Sequence, residues 1–388
     1  MTCHRLALRG TKIKIIHHTS VIDNRENSGT ARLAKEIILQ INTRTNFQQY
    51  LLHYDQSDSE IYSLSRTCEV KLKKNSRSKY RFVYFALYCI KLRIKNLFYS
   101  EKIHFDVSHW HVFRVYPFFW FLPAKKHIIS IHDAGHFILP YTQTFYNRIF
   151  IWNIRKNLDK IYKLLVLSED AKSNLIKYGS FPENKIEIVY PGSEFHRIKP
   201  KNPFSTKNVL KPESFIVCVS RWQPHKNVEK LVEAFNKYVN IDKNSILKLV
   251  LVGKPVGQHV LPFEKIIEFG LEERILVLSD LSDAELAWLY DHALFSVFPS
   301  LHEGFGLPIL ESLSRHCPSI VDSNTSTAEV VGNAGLCVDM RSSGEIASAI
   351  QELISSPDLL NSLKNNCLNR TNFFTWKRSI SKLCYVYS

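Results

Sequence analysis

The sequence predicts an α/β protein of two similar domains, each a parallel sheet covered by helices, and three observations carry that reading. Short apolar, β-branched runs alternate with helical-period segments almost throughout, the pattern of repeated strand-helix units. Near the middle the rhythm stops in "YPGSEFHRIKPKNPFSTKNVLKPES", a linker rich in Pro, Lys and Ser, and then restarts. The 388 residues also exceed what one core ordinarily serves, since domains run to roughly 100–200 residues.

In the first half, strands are expected at 12–17, 50–54, 106–109, 127–131, 164–167 and 186–189. Helical patterns fill most gaps, among them "GTARLAKEIILQI" and "SEDAKSNLIKYG", the latter opening at a Ser cap and closing at Gly179. The second half offers the strands "SFIVCVS", "LKLVLVG", "RILVLSD", "ALFSVFPS", "PSIVDS" and "GLCVD", with helices at 228–238, 262–269, 283–290, 306–314, 327–331 and 344–354. The domains are expected at 1–195 and 196–372. Periodicity leaves open whether the last helix, in 373–388, caps the second domain or returns to the first.

Hydrophobic residues make up 45% and charged residues 22%, which excludes wholesale disorder. The net charge of +15 suits an anionic partner (nucleic acid, acidic lipid or a phosphorylated small molecule) or, equally, a solvated basic surface that keeps the protein soluble. Eight cysteines occur without any C-x-x-C, several of them (Cys89, Cys218, Cys337) inside apolar runs as small buried hydrophobes, which suits a reducing cytosol. The first residues lack the apolar core of a secretory signal, and "FVYFALYCI" and "VYPFFWFLPA" are about half the ~18 residues that span a bilayer. The expected location is cytoplasmic. Between Lys71 and Lys102, ten basic residues face the single acid Glu101 with aromatic and aliphatic residues interleaved. Such a segment suits peripheral contact with an anionic membrane, or equally a core-facing helix with a solvated basic side.

"HEGFGLPILE" brackets two glycines and a proline with Glu303 and Glu311 and includes no Lys or Arg to pair either acid. It follows a buried-strand pattern and opens a helix, where free N–H groups and glycines suit an anion or a hydroxylated ligand. The bland alternative makes Glu303 a capping acid and Glu311 an exposed helix residue. In "SRWQPHKN", Arg221 and Lys226 sit between a strand and a helix, where ligands of open α/β sheets bind; two cations there could neutralise a leaving diphosphate. Gly29 precedes the first helix and is a weaker phosphate candidate. "SIHDAGH" ends a strand with His132, Asp133 and His136; His132 could bond a substrate hydroxyl or be satisfied by Asp133. His109 and His111 are weaker candidates, and with no third ligand at suitable spacing no metal site is expected. No G-x-G-x-x-G or Walker motif occurs.

These stretches, with "SGTARLAKEI", "FDVSHWH", "VLSEDAKSNL", "NKIEIVYPG", "LVLVG", "LSDAELAWLYDHALFSVFPS" and "TAEVVGNAGLCVD", resemble the retaining GT-B glycosyltransferases of family 4, the group 1 family, along nearly the whole chain. The resemblance implies two Rossmann-like domains facing across a cleft, the second holding a nucleotide-sugar and the first an acceptor, with the final helix returning to the first. Carried over, Arg221 and Lys226 bind the donor diphosphate, Glu311 takes the ribose, and Glu303 with the backbone from Gly304 through Phe305 and Gly306 to Leu307 holds the sugar. Gly29 approaches the phosphate, although "SG" stands where a Gly pair is common, and His132 touches the sugar. No cofactor or metal is implied. The acceptor is a glycan or a lipid-linked chain of a surface polysaccharide such as lipopolysaccharide, and the resemblance to surface-polysaccharide mannosyltransferases points to a mannosyl donor with a guanine base. A nucleotide-sugar epimerase of the same architecture is the alternative enzyme, and a nucleic-acid or membrane-binding protein the non-enzymatic one.

Overall fold

The computed structural model describes residues 12–18, 29–53, 67–71, 81–98, 104–112, 118–204, 210–257 and 260–388. The chain forms two compact units, Met1–Pro191 with Trp376–Ser388, and Gly192–Thr375. The first unit therefore ends at Pro191 rather than 195 and resumes at Trp376 rather than 373.

In the first unit the strands are β1 (Ile13–His18), β2 (Phe47–His53), β3 (Thr67–Lys71), β4 (Phe105–Trp110), β5 (Ala124–Ser130), β6 (Ile161–Val166) and β7 (Ile186–Ile188), in the sheet order β3-β2-β1-β4-β5-β6-β7. Successive residues of a strand face opposite sides, so both sides of this sheet are apolar. Ile15, Val107, Ile128 and Leu165 face helices Gly29–Asn42 and Trp376–Tyr387. Ile16, Trp110, Ile129 and Leu164 share a second core with residues of helices Arg81–Phe98, Phe145–Lys156 and Glu169–Lys177. Ser168 caps the last of these, accepting from Ala171 N at 3.0 Å. Edge strand β3 was not expected. Its sequence "TCEVK" holds too few apolar residues to announce a strand.

The second unit contains β8 (Phe215–Val219), β9 (Lys248–Val252), β10 (Ile275–Leu278), β11 (Ser296–Phe298), β12 (Ser319–Asp322) and β13 (Gly335–Val338), ordered β10-β9-β8-β11-β12-β13. All six strands match those read from the sequence; the central ones, β9, β8, β11 and β12, are buried on both faces and appear as unbroken apolar runs. Cys337 is a correction: it is exposed, since β13 is an edge strand. The linker is another. Phe195 and Leu210 are buried in the core of the second unit, and Lys201 N donates to Ala284 O at 2.9 Å.

The final helix packs in the first unit. Trp376, Ile380, Leu383 and Tyr387 share a core with Leu33, Ile37 and Phe47, and Tyr387 Oη lies 2.7 Å from His109 Nδ1. Of the basic segment 71–102, residues 72–80 and 99–102 lie outside the described residues. The rest includes a helix that buries Phe85, Cys89 and Leu92, as the core-facing reading expects. No described helix is long and apolar enough to cross a membrane.

Candidate active site

In the second unit the loops after β8 and β11 leave neighbouring strands at the same sheet edge. After β8, Trp222 is fully buried and anchors a turn, Pro224–Lys226, that ends at Asn227 with φ 55°. A left-handed conformation is one that Asn tolerates better than most residues. Asn227 Nδ2 donates to Pro299 O at 3.3 Å and Met340 O at 2.7 Å, and Leu301 N donates to His225 O at 2.8 Å, so the two loops are held together. Ser326 Oγ donates to Glu303 O at 2.9 Å. Gly306 precedes helix Leu307–Leu313 with φ 103°, and a Cβ there would stand 2.9 Å from Ile309 Cδ1. Any side chain at this position is strained.

The result is an ion pair between Lys226 and Glu303, 77 residues apart, with their side chains 17% and 13% exposed. The Lys226 ammonium also lies 5.8 Å from the Phe298 ring centroid. Arg221 is exposed, and no described carboxylate forms an ion pair with it. Glu311 is buried at 8% exposure, so it is not the exposed helix residue of the bland reading. Nor is Glu303 a capping acid: it lies three residues before the N-cap, Gly306, and its carboxylate pairs with Lys226. Chemically, a cation shared with a carboxylate and a second, exposed cation can receive a diphosphate while the carboxylate accepts from hydroxyls.

In the first unit, β1, β4 and β5 end beside one another. The register sets His17 against His109 and His18 against Trp110, whose rings stack with centroids 4.0 Å apart. His17 Nδ1 lies 3.0 Å from His111 Nε2, and His109 Nε2 lies 2.9 Å from Ser130 Oγ. Potential ligating atoms of His17, His109 and His111 lie within 4.8 Å of one another, so His17 is the third histidine that sequence spacing lacked. His17 and His111 are in hydrogen-bond contact and both His109 nitrogens are engaged, so the three rings form a buried hydrogen-bonded network. Burial pushes His17 down to about 3, and burial with neighbouring histidines holds His109 and His111 well below the ordinary imidazole value, so the rings are neutral.

His132 follows β5, and its Nε2 lies 2.7 Å from the carbonyl oxygen of His111. A carbonyl only accepts, so the proton sits on Nε2 and Nδ1 keeps a lone pair. Among the described residues that Nδ1 is buried without a hydrogen-bond partner. Burial lowers the His132 pKa despite His111 and Asp133, favouring the neutral ring that can accept from a hydroxyl. Asp133 Oδ1 accepts from Gly135 N at 2.7 Å, and Asn147 Nδ2 donates to His136 Nδ1 at 3.2 Å, which gives His136 a structural bond to the next helix.

Residues 51–197 match the family Glycosyltransferase Family 4, and residues 200–370 match Glycosyl transferases group 1. The chain belongs to these glycosyltransferases. It is 25% identical to O-antigen chain mannosyltransferase B of Escherichia coli over 277 residues, 69% of this chain and 72% of that one. It is also 25% identical to O-antigen chain mannosyltransferase RfbU of Salmonella typhimurium over 309 residues, 79% and 80% of the two chains. Among solved structures it resembles Anabaena HepE in complex with UDP and glucose, with TM-score 0.72, 14% identity and 96% and 98% of the chains covered. Sucrose-phosphate synthase from Thermosynechococcus elongatus gives TM-score 0.74 at 17% identity, covering 97% and 98%. These likenesses show the GT-B fold.

The glycosyltransferase thus brings Lys226 and Glu303 together, with Arg221 in the same loop as Lys226. Gly304, Phe305, Gly306 and Leu307 form the turn into the helix that carries Glu311. Gly29 is the first residue of helix Gly29–Asn42, and the loop before it lies outside the described residues. The residue that sequence reasoning missed is His17. Its signal was present, since "KIKIIHH" and "FDVSHWH" both end a strand in histidines.

Proposed function

We propose that this glycosyltransferase moves a hexose, with retention, from a nucleotide-diphosphate sugar to a hydroxyl of a glycan or lipid-linked acceptor in surface-polysaccharide assembly. The observation that carries the proposal is the Lys226–Glu303 pair, with Arg221 in the same loop as Lys226, built from two loops at the carboxyl edge of a parallel sheet. Arg221 and Lys226 receive the diphosphate and stabilise the charge that develops as it leaves. Glu303 and the backbone from Gly304 to Leu307 hold the sugar, and Glu311 takes the ribose. Gly29 approaches the phosphate, and the Nδ1 lone pair of His132 accepts from a sugar hydroxyl. The acceptor hydroxyl attacks from the leaving-group face and passes its proton to a phosphate oxygen, so no metal is required.

The O-antigen mannosyltransferases of Escherichia coli and Salmonella typhimurium support a mannosyl donor, and the complex of HepE with UDP and glucose supports a nucleotide with a sugar. The enzyme works in the cytoplasm, in peripheral contact with the inner face of the membrane. A thermal-shift screen across nucleotide sugars tests the reading. A donor at 100 times its Kd adds about 2.7 kcal/mol to stability, and a guanine-linked mannose is expected to give the largest shift. No shift with any nucleotide sugar overturns the proposal, as does donor alone being converted to an altered sugar. Turnover is further expected to survive EDTA; loss on chelation with rescue by a divalent metal contradicts the metal-independent route.

A further inference from the structure

Helix Arg81–Phe98 is apolar on two sides. Phe85, Cys89 and Leu92 are buried, while Leu87, Ile90, Ile94 and Leu97, the last 78% exposed, form a stripe on the opposite side at helical spacing. Helix Phe145–Lys156 repeats the arrangement. Ile151 and Ile154 are buried, while Phe145 (74% exposed), Tyr146, Ile149 and Trp152 (59%) face outward. Phe85 and Ile154 belong to one core cluster, so both helices cover the same side of the first unit's sheet. The turn at Phe118–Phe121 packs against the first of these helices and meets the segment that follows the second. The Arg93 guanidinium donates to Phe121 O at 3.0 Å, the Lys160 ammonium lies 4.3 Å over the Trp120 ring, and Phe118 is exposed. A soluble surface does not ordinarily gather this much apolar and aromatic area on one side without a partner.

Charge names the partner. Helix Arg81–Phe98 contains no acid, and none occurs between Asp133 and Asp159. Lys91 and Arg93 are exposed on either flank of the first stripe, and Arg148 and Lys156 border the second, Lys156 lying 4.7 Å over the Trp152 ring. An isologous dimer through this surface would set these bases against their own copies, whereas anionic headgroups would neutralise them. Aromatic and aliphatic side chains below a rim of Lys and Arg suit the interfacial layer of a bilayer.

We propose that the two helices and the turn between them are a docking surface for an anionic phospholipid bilayer, on which the first unit lies without crossing it. This gives the proposed transferase a route to a membrane-borne acceptor and rests on that reading only for its purpose, so binding is measured without donor or acceptor. The full chain is mixed with vesicles of equal parts phosphatidylglycerol and phosphatidylcholine, and with phosphatidylcholine alone. It is expected to float with the anionic vesicles, with a blue shift in tryptophan emission. Phe145→Ser with Trp152→Ser, and separately Ile94→Ser with Leu97→Ser, should each cut the bound fraction about tenfold or more, because all four side chains are exposed. The thermal shift given by nucleotide sugars should be unchanged in these variants, which separates loss of the surface from loss of the donor site. The proposal is overturned if wild type stays out of the anionic vesicles or if the paired variants bind as well as wild type. A concentration-dependent dimer that the variants convert to monomer would overturn it too, assigning the surface to a second copy.

Discussion

Lys226→Ala is expected to lower turnover about 10²-fold or more, the scale of removing one preorganised electrostatic contact to a developing charge. The geometry makes the loss larger than the deletion of one cation, because Glu303 loses its partner while remaining largely covered at 13% side-chain exposure. An unpaired carboxylate then stands at the proposed diphosphate site, adding repulsion to the lost attraction. Glu303→Ala should also reduce turnover about 10²-fold, through the sugar rather than the phosphate. The double variant distinguishes a coupled pair from two independent contacts. With Lys226 and Glu303 both replaced by Ala, the repulsive carboxylate is gone, so the combined loss should fall well short of the product of the single losses. Turnover is read with saturating acceptor and nucleotide sugar. Near wild-type turnover in either single variant removes that residue from the site, and strict multiplication in the double variant removes the coupling.

That coupling marks the limit of what the sequence could express. The carboxylates of "HEGFGLPILE" stand without a base in their own stretch, and the base arrives from a loop 77 residues away because β8 and β11 are neighbours in the sheet. Strand order is a long-range property, whereas periodicity is local. The same reason hid the histidine cluster, in which His17 and His109 are paired by the register of β1 on β4. What could be read locally was read: the six strands of the second sheet as apolar runs, and the Ser168 cap as a Ser before a helical period. Strand β3 escaped because an edge strand of five residues carries little apolar signal. The side of the closing helix was undecidable from its amphipathic pattern alone, since that pattern specifies a face to bury and not the surface that buries it.

Acid should destabilise the first unit well above the pH at which carboxylates titrate. An unfolded histidine takes up a proton near pH 6.5, whereas burial pushes His17 down to about 3 and His127 to about 4, and holds His109 and His111 well below their ordinary value. Below pH 6.5 the unfolded chain therefore binds protons that the folded chain refuses. Stability is complete above that pH and is lost as the pH falls toward 4 and then 3. His17 and His127 each contribute a slope of about 1.4 kcal/mol per pH unit, hence about 2 kcal/mol each by pH 5, and His109 and His111 act in the same direction. Neighbouring rings sharpen the effect, since a charge on His17 opposes one on His109 or His111. Thermal melts between pH 7.5 and 5 should show a steep fall, and amides of β1 and β4 should lose hydrogen-exchange protection first. Replacing His17 by Gln should cost stability at pH 7.5 and reduce the slope by one proton, so wild type and variant converge in acid. A melting temperature level across this range would mean that the histidines are protonated in the folded state, which would contradict the neutral network and the tautomer assigned to His132.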